Sequence, residues 1–206
     1  MGSNPMSART QGLQRQSGFT LLETLIVVGL VGVITVVAVP MFSNTIANFR
    51  LSGDARSLSN AAALAKMRAA SSFSRVRLYV DLSTKSHRLE TWDKVASAWT
   101  VEGGTTYLST NVAFGFGVVG TAPPNTQATI AQAPACTTNA GVAIGNTACF
   151  MFNSRGVPID STFSPTAVDA FYLTDGTAVY GVTVAATGMI KLWSTPPAVT
   201  PTWVSR

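Results

Sequence analysis

The 206 residues carry 14 Lys or Arg against 9 Asp or Glu, a formal charge of +5. Two of those arginines, Arg9 and Arg15, lie in the first eighteen residues, so a chain without them drops to +3 and the overall basicity is overstated. Cys136 and Cys149, with no histidine near them, exclude a zinc centre.

From the amino end, eighteen hydrophilic residues contain no acid. An apolar run follows at 25–42, whose only polar side chain is Thr35. At about 1.5 Å per residue, a helix of that length crosses most of a bilayer core. The positive flank then stays cytoplasmic and the carboxyl side is exported. Glu23 sits at the entrance to the run, where an ionised side chain costs at least roughly 2–3 kcal/mol. A cut between Gly18 and Phe19 supplies it with a partner. The new amino group lies about one helical turn from Glu23, and a neighbouring copy can offer the same amine to this carboxylate. An ordinary secretory signal cut near Val37 and Ala38, or a plain single-pass anchor, leaves Glu23 without a reason.

The basic leader ending in Gly18, the FTLLE that follows and the apolar run with Pro40 near its end resemble a type IV prepilin. The resemblance implies that prepilin peptidase removes a leader at 1–18 and that Phe19 becomes a methylated terminus. It also implies that Glu23 acts in assembly and that Pro40 bends the helix. The segment 19–42 is then the transmembrane and assembly half of the helix. It places the chain in the bacterial inner membrane as a single-pass protein with a periplasmic domain, and makes other pilin or pseudopilin subunits its partners.

About 160 residues remain, enough for one domain with its own core. The helix continues over 43–72, because Leu51, Ala55, Leu58, Ala62, Ala65 and Ala69 recur at alternating steps of four and three. This mostly alanine stripe lets a sheet or helix come close, while Asp54, Arg56, Asn60 and Lys66 face solvent or another subunit. From Arg75 the period changes to two, with Val76, Leu78 and Val80 alternating with Arg77, Tyr79 and Asp81 as in a half-buried strand. Further strands of a meander are expected at 87–92 and 95–101, with Trp92 and Trp99 packing on a sheet face.

Residues 103–154 contain no charge. They read as a loop-rich decoration with short strands, or as a contact surface that is cheap to desolvate. Cys136 and Cys149 enclose twelve residues of this region and pair in an oxidising periplasm. Beyond it, strands are expected at 149–153, 170–174, 177–185 and 189–193, with a tight turn at Asp175-Gly176. The segment FNSRG at 152–156, the late Gly188 and the apolar strand after it resemble the GspH/FimT group of minor pilins and pseudopilins. That resemblance implies an α+β chain, a long helix against two antiparallel sheets. The β-rich domain then spans 73–193, and a Pro-containing tail spans 194–206. Trp203 either packs back on this domain or meets a partner.

No catalytic constellation emerges. His87 is read as an exposed strand residue, the acids Asp160, Asp169 and Asp175 do not form a calcium loop, and no phosphate-binding loop is present. The expectation is a non-enzyme without cofactor or metal. Some FimT-like minor pilins bind DNA, and residues 50–94 hold nine cations against four acids. Phosphate contacts would fall on Arg68, Arg75, Arg77, Lys85 and Arg88, although a solvated helix face and strand edges explain the same charges. The chain is therefore expected to be a minor pilin, an initiator or tip subunit of a type IV pilus. The alternatives are a GspH-like minor pseudopilin of a type II secretion system or a DNA-binding minor pilin for natural transformation.

Overall fold

The structure, a computed structural model, describes residues 18–166 and 168–206, without the side chains at 37, 39–41, 43 and 44. Most of the expected leader and the side chain of Pro40 thus lie outside the described residues. One helix, α1 (Leu21–Ser71), opens the chain, and the chain divides inside it into two compact units, Met1–Ser43 and Asn44–Arg206.

In the first unit Thr20 caps α1. The Glu23 N–H donates to Thr20 Oγ1 at 3.2 Å, which makes Thr20 and Glu23 the first and fourth residues of a capping-box sequence. Among the described residues no helix is long and apolar enough to cross a membrane. Four positions of the run expected to do so, 37 and 39–41, have side chains outside the description.

In the second unit the alanine stripe does what its spacing predicts: Leu51, Ala55, Leu58, Ala62, Ala65 and Ala69 are all fully buried. The strands are β1 (Val76–Asp81), β2 (Ser86–Asp93), β3 (Ala98–Tyr107), β4 (Ala113–Phe114), β5 (Thr147–Phe152), β6 (Pro158–Ile159), β7 (Val168–Thr174), β8 (Val179–Ala185), β9 (Ile190–Thr195) and β10 (Val204–Ser205). They form two five-stranded sheets, β3-β2-β1-β5-β6 and β10-β9-β8-β7-β4, in which every strand pairing is antiparallel. Helix and both sheets share one core. The stripe packs with Val76, Leu78 and Phe150 of the first sheet and with Phe171, Leu173 and Val182 of the second, and Phe150 meets Phe171 at a centroid distance of 3.9 Å.

Two expectations gain their geometry here and a third is corrected. The charge-free middle, expected as loops with short strands, takes in the end of β3 as far as Tyr107, then β4 and β5, with two straps over the sheets between these last two. One strap, 115–133, follows β7. Ala133 N–H donates to Ala170 O, and the Gln132 side chain bonds both N–H and C=O of Tyr172 at 2.9 Å, imitating a strand partner. Val119 and Ile130 of this strap cover Tyr172 and Val179. The other strap, 134–146, crosses the outer face of the first sheet. Second, the tail runs back along the domain, and of the two places expected for Trp203 it takes the first. Val204 and Ser205 pair with Ser194 and Trp193, while Trp203 packs back, donating to Thr121 O at 2.9 Å. Third, His87 is 4% exposed rather than open, because it shares the inward side of β2 with the core residue Leu89.

Candidate functional site

Two places in the molecule carry unusual chemistry. The first is the amino end of α1. Phe19 is 80% exposed, and Leu21, Leu22, Leu25 and Ile26 are exposed beside it. No element covers this apolar helix face among the described residues. Glu23 lies in the first turn of α1, where the helix dipole favours an anion, and it has no ion pair among the described residues.

The second is the outer face of the first sheet. The β period of two sends Arg75, Arg77 and Tyr79 to this face, and the antiparallel register sets Arg88 and Glu90 opposite Tyr79 and Arg77. Arg77 is 3% exposed. Its Nε donates to Glu90 Oε2 at 2.7 Å and its Nη1 to Thr137 O at 2.6 Å. Burial pulls the Arg77 guanidinium below its ordinary pKa, and the Glu90 carboxylate opposes that pull. Arg88 donates to the other oxygen of Glu90 at 2.7 Å. Each arginine also lies over a ring: Arg77 is 4.1 Å from the Trp99 centroid and Arg88 is 3.9 Å from that of Tyr79. Trp92 and Trp99 meet edge to face at 5.2 Å.

The five cations expected to touch phosphate are therefore not one open patch. Arg75, Arg77 and Arg88 share a face, but Arg77 is buried on Glu90 and Arg88 shares that same carboxylate. Arg68 pairs with Glu102 at 2.7 Å on the far end of α1. Lys85 is exposed in the β1–β2 turn, where it adopts φ 55°. Asp54 and Lys66, expected to face outward, hold loops instead. Asp54 accepts from the N–H and hydroxyl of Ser109, and Lys66 donates to Gly188 O.

Cys136 and Cys149 form a disulfide that packs with Tyr79 under Ile144. It latches the second strap, from which Thr137 O receives Arg77 and Asn139 Oδ1 receives the Trp99 N–H at 3.0 Å. Among the described residues, no group of three or more His, Cys, Asp or Glu is placed to hold a metal ion. Asp160 is engaged by its own loop, accepting from Thr162 and Ser164. These bonds, with the Thr162 hydroxyl first, hold its carboxyl below the usual range.

The capping role of Thr20 and the interleaved arginines and rings of the first sheet were not foreseen from the sequence. The first was visible as Thr-x-x-Glu before an apolar run. The second needs the strand register.

Residues 13–39 match the family model described as the prokaryotic N-terminal methylation motif. Among curated proteins none matches the sequence. Two solved structures are similar in part, both of the minor pseudopilin EpsH from the type II secretion system of Vibrio cholerae. One is 14% identical, with a TM-score of 0.42 over 69% of this chain and 95% of that one. The other is 15% identical, with a TM-score of 0.43 over 75% and 96%.

Proposed function

We propose that this chain is a minor pilin, an initiator or tip subunit assembled into a type IV pilus after prepilin peptidase cuts between Gly18 and Phe19. The observation that carries the reading is the methylation motif at the head of α1, a helix whose residues from Leu51 to Ala69 form the buried spine of a two-sheet domain. In this reading the cut frees the Phe19 amine, methylation follows, and Glu23 pairs with the terminal amine of an adjacent subunit. The exposed apolar residues from Leu21 onward bundle with those of neighbours, Pro40 bends the helix, and before assembly the same segment anchors the chain in the inner membrane.

Membership of a type II secretion pseudopilus is the second outcome of the same chemistry, since both assemblies need a processed amino terminus and an apolar helix. A DNA-binding role has less support than the charge distribution alone suggests, because two of the cations it would use share the Glu90 carboxylate, which offsets one of their two charges. The deciding experiment is a clean deletion strain scored for surface pili, DNA uptake and extracellular enzyme release. Loss of pili or of DNA uptake with normal secretion supports the minor pilin. Loss of secretion with normal pili makes the chain a pseudopilin. No defect in any assay overturns both.

A further inference from the structure

Arg75 is the one arginine on the outer face of the first sheet that has no carboxylate. Among the described residues it makes no ion pair, and its backbone C=O, not its side chain, is engaged, receiving the Trp92 N–H at 2.8 Å. Its guanidinium carbon stands 4.4 Å from the Trp92 centroid and 4.1 Å from that of Phe163. Two aromatic rings hold the guanidinium by cation–π attraction, and a guanidinium without a carboxylate can take one in two parallel hydrogen bonds. The group is half-buried, and it borders a cleft of about 310 Å³ that Phe73, Lys94 and Ser154 also line.

Two phenylalanines, one lining the cleft and one against Arg75, have strained backbone. Phe73 and Phe163 both adopt positive φ, 50° and 68°, which bulky L-residues rarely do. They are 73% and 56% exposed. Neither conformation is accidental to its loop. Lys94 Nζ donates to Phe73 O at 2.5 Å, and the Asp160 carboxylate gathers the N–H groups of Thr162 and Ser164 on either side of Phe163. Strained backbone that holds apolar rings in water around an unpaired cation marks a place where a partner is bound. Trp, Arg and large aromatic residues are also the residue types that dominate binding hot spots.

We infer that the Arg75 cleft is a receptor for a carboxylate side chain on an extended apolar segment of another protein, with the acid on the Arg75 fork and its neighbours on Phe73 and Phe163. The residues favour a protein over a nucleic acid. A phosphate backbone needs cations in series; the cleft adds Lys94, whose Nζ already holds Phe73 O, and the next two arginines on this face share Glu90. A second copy of this chain is a weaker source of the acid, because most carboxylates of the domain already accept hydrogen bonds within it. Asp54 holds Ser109, Asp81 and Asp93 cap their own turns, Glu102 pairs with Arg68, and Asp160 and Asp175 bind their own loops. The site goes beyond filament membership, since it needs only the domain, and its test is separable from that of the pilus.

The test is an NMR titration of the full chain in detergent micelles, following the arginine side-chain Nε–Hε resonances. The probes are acetyl-Leu-Glu-Leu-amide, acetyl-Leu-Gln-Leu-amide and an oligothymidylate of eight nucleotides. The expected result is a saturable shift of the Arg75 resonance with the Glu peptide and at least tenfold weaker response to the Gln peptide. Arg75→Lys keeps the charge but removes the fork, and should lose most of that tenfold preference. Phe163→Gly relieves the strained φ and removes one ring, and should weaken binding without unfolding the domain. Equal response to both peptides, no response at Arg75, or unchanged binding by Arg75→Lys overturns the inference. Binding of the oligothymidylate in preference to the Glu peptide at the same resonance also overturns it, in favour of a nucleic-acid site.

Discussion

Lys66 Nζ donates to the carbonyl oxygen of Gly188 at 2.9 Å, and its stem lies against Gly156 on the way. A Cβ on Gly156 would stand 3.1 Å from Lys66 Cγ, and one on Gly188 only 2.7 Å from Gly156 O. The two glycines that carry the resemblance to minor pilins in the carboxyl third, far apart in sequence, thus converge on one lysine of α1. They tie the turn after β5 and the turn before β9 to the helix.

That convergence predicts a contrast between two glycines of nearly equal φ. Gly188 (φ 75°) meets backbone at its missing Cβ, while Gly103 (φ 78°) meets nothing within 4 Å. Gly103→Ala should cost about 1 kcal/mol, the left-handed penalty alone. Gly188→Ala should cost about 1–2 kcal/mol more through the clash. Urea denaturation of both variants checks this, and equal losses would remove the three-way junction as a source of stability.

Glu90→Gln should be among the most damaging single changes in the domain. It removes the counter-charge of the buried Arg77 guanidinium and leaves it the single amide oxygen of the new side chain besides Thr137 O, at a cost of about 3–5 kcal/mol. Replacing both members, as in Arg77→Met with Glu90→Leu, should cost far less, because no unpaired charge stays inside. The two variants are compared by their denaturation midpoints.

Reducing the disulfide, or replacing Cys136 and Cys149 by alanine, should remove about 3 kcal/mol, as expected for a loop of this size. The local signature lies elsewhere. Amide exchange at Trp99, protected by Asn139, should accelerate more than exchange at Val182 in the core. If both accelerate equally, the strap is not a separate unit.

Stability should fall as pH drops through the histidine range. Burial holds His87 below its ordinary value of 6.5, with Asp54 opposing the shift. The unfolded chain then takes up the proton first, and unfolding is favoured as pH falls from about 7.5 to 5.5. Asp169, raised by burial, has the opposite sign and acts in the carboxylate range. Thermal unfolding of His87→Gln should be flatter over the upper window than that of the parent chain.

Glu23→Val should leave cleavage after Gly18 intact and reduce incorporation into filaments. Immunoblots of processed chain in the membrane and in sheared filaments measure the two steps separately. Normal incorporation would mean that the Thr20 cap, not an intersubunit ion pair, is the reason for the acid.

Where burial follows from backbone period, the residues announce it. The stripe from Leu51 to Ala69 and the alternation at 76–81 are readable because a helix repeats near 3.6 and a strand at 2. The methylation motif is readable because its parts are contiguous. The middle is not, since its organisation rests on single latches without period: Gln132 on the backbone of Tyr172, Arg77 on Thr137, Asn139 on Trp99. His87 misleads for a related reason. Arg88 does mark the outer face, but a polar imidazole on the inward side beside Leu89 breaks the apolar pattern that would announce its burial. The basic cluster misleads because Glu90 lies two residues from Arg88 in sequence but also directly across from Arg77, and only the register shows the second relation.

The two straps are held by a few backbone hydrogen bonds, a handful of anchoring side chains and one covalent link, not by a repeating pattern. Such a covering restricts where the chain must touch down but hardly what lies between the touchdown points. The exposed stretches of the two straps between Val119, Ile130, Gln132, Ala133, Cys136, Thr137 and Asn139 can therefore change sequence at similar span and present a different exterior, while the Phe150 and Phe171 contact and the alanine spine beneath stay the same.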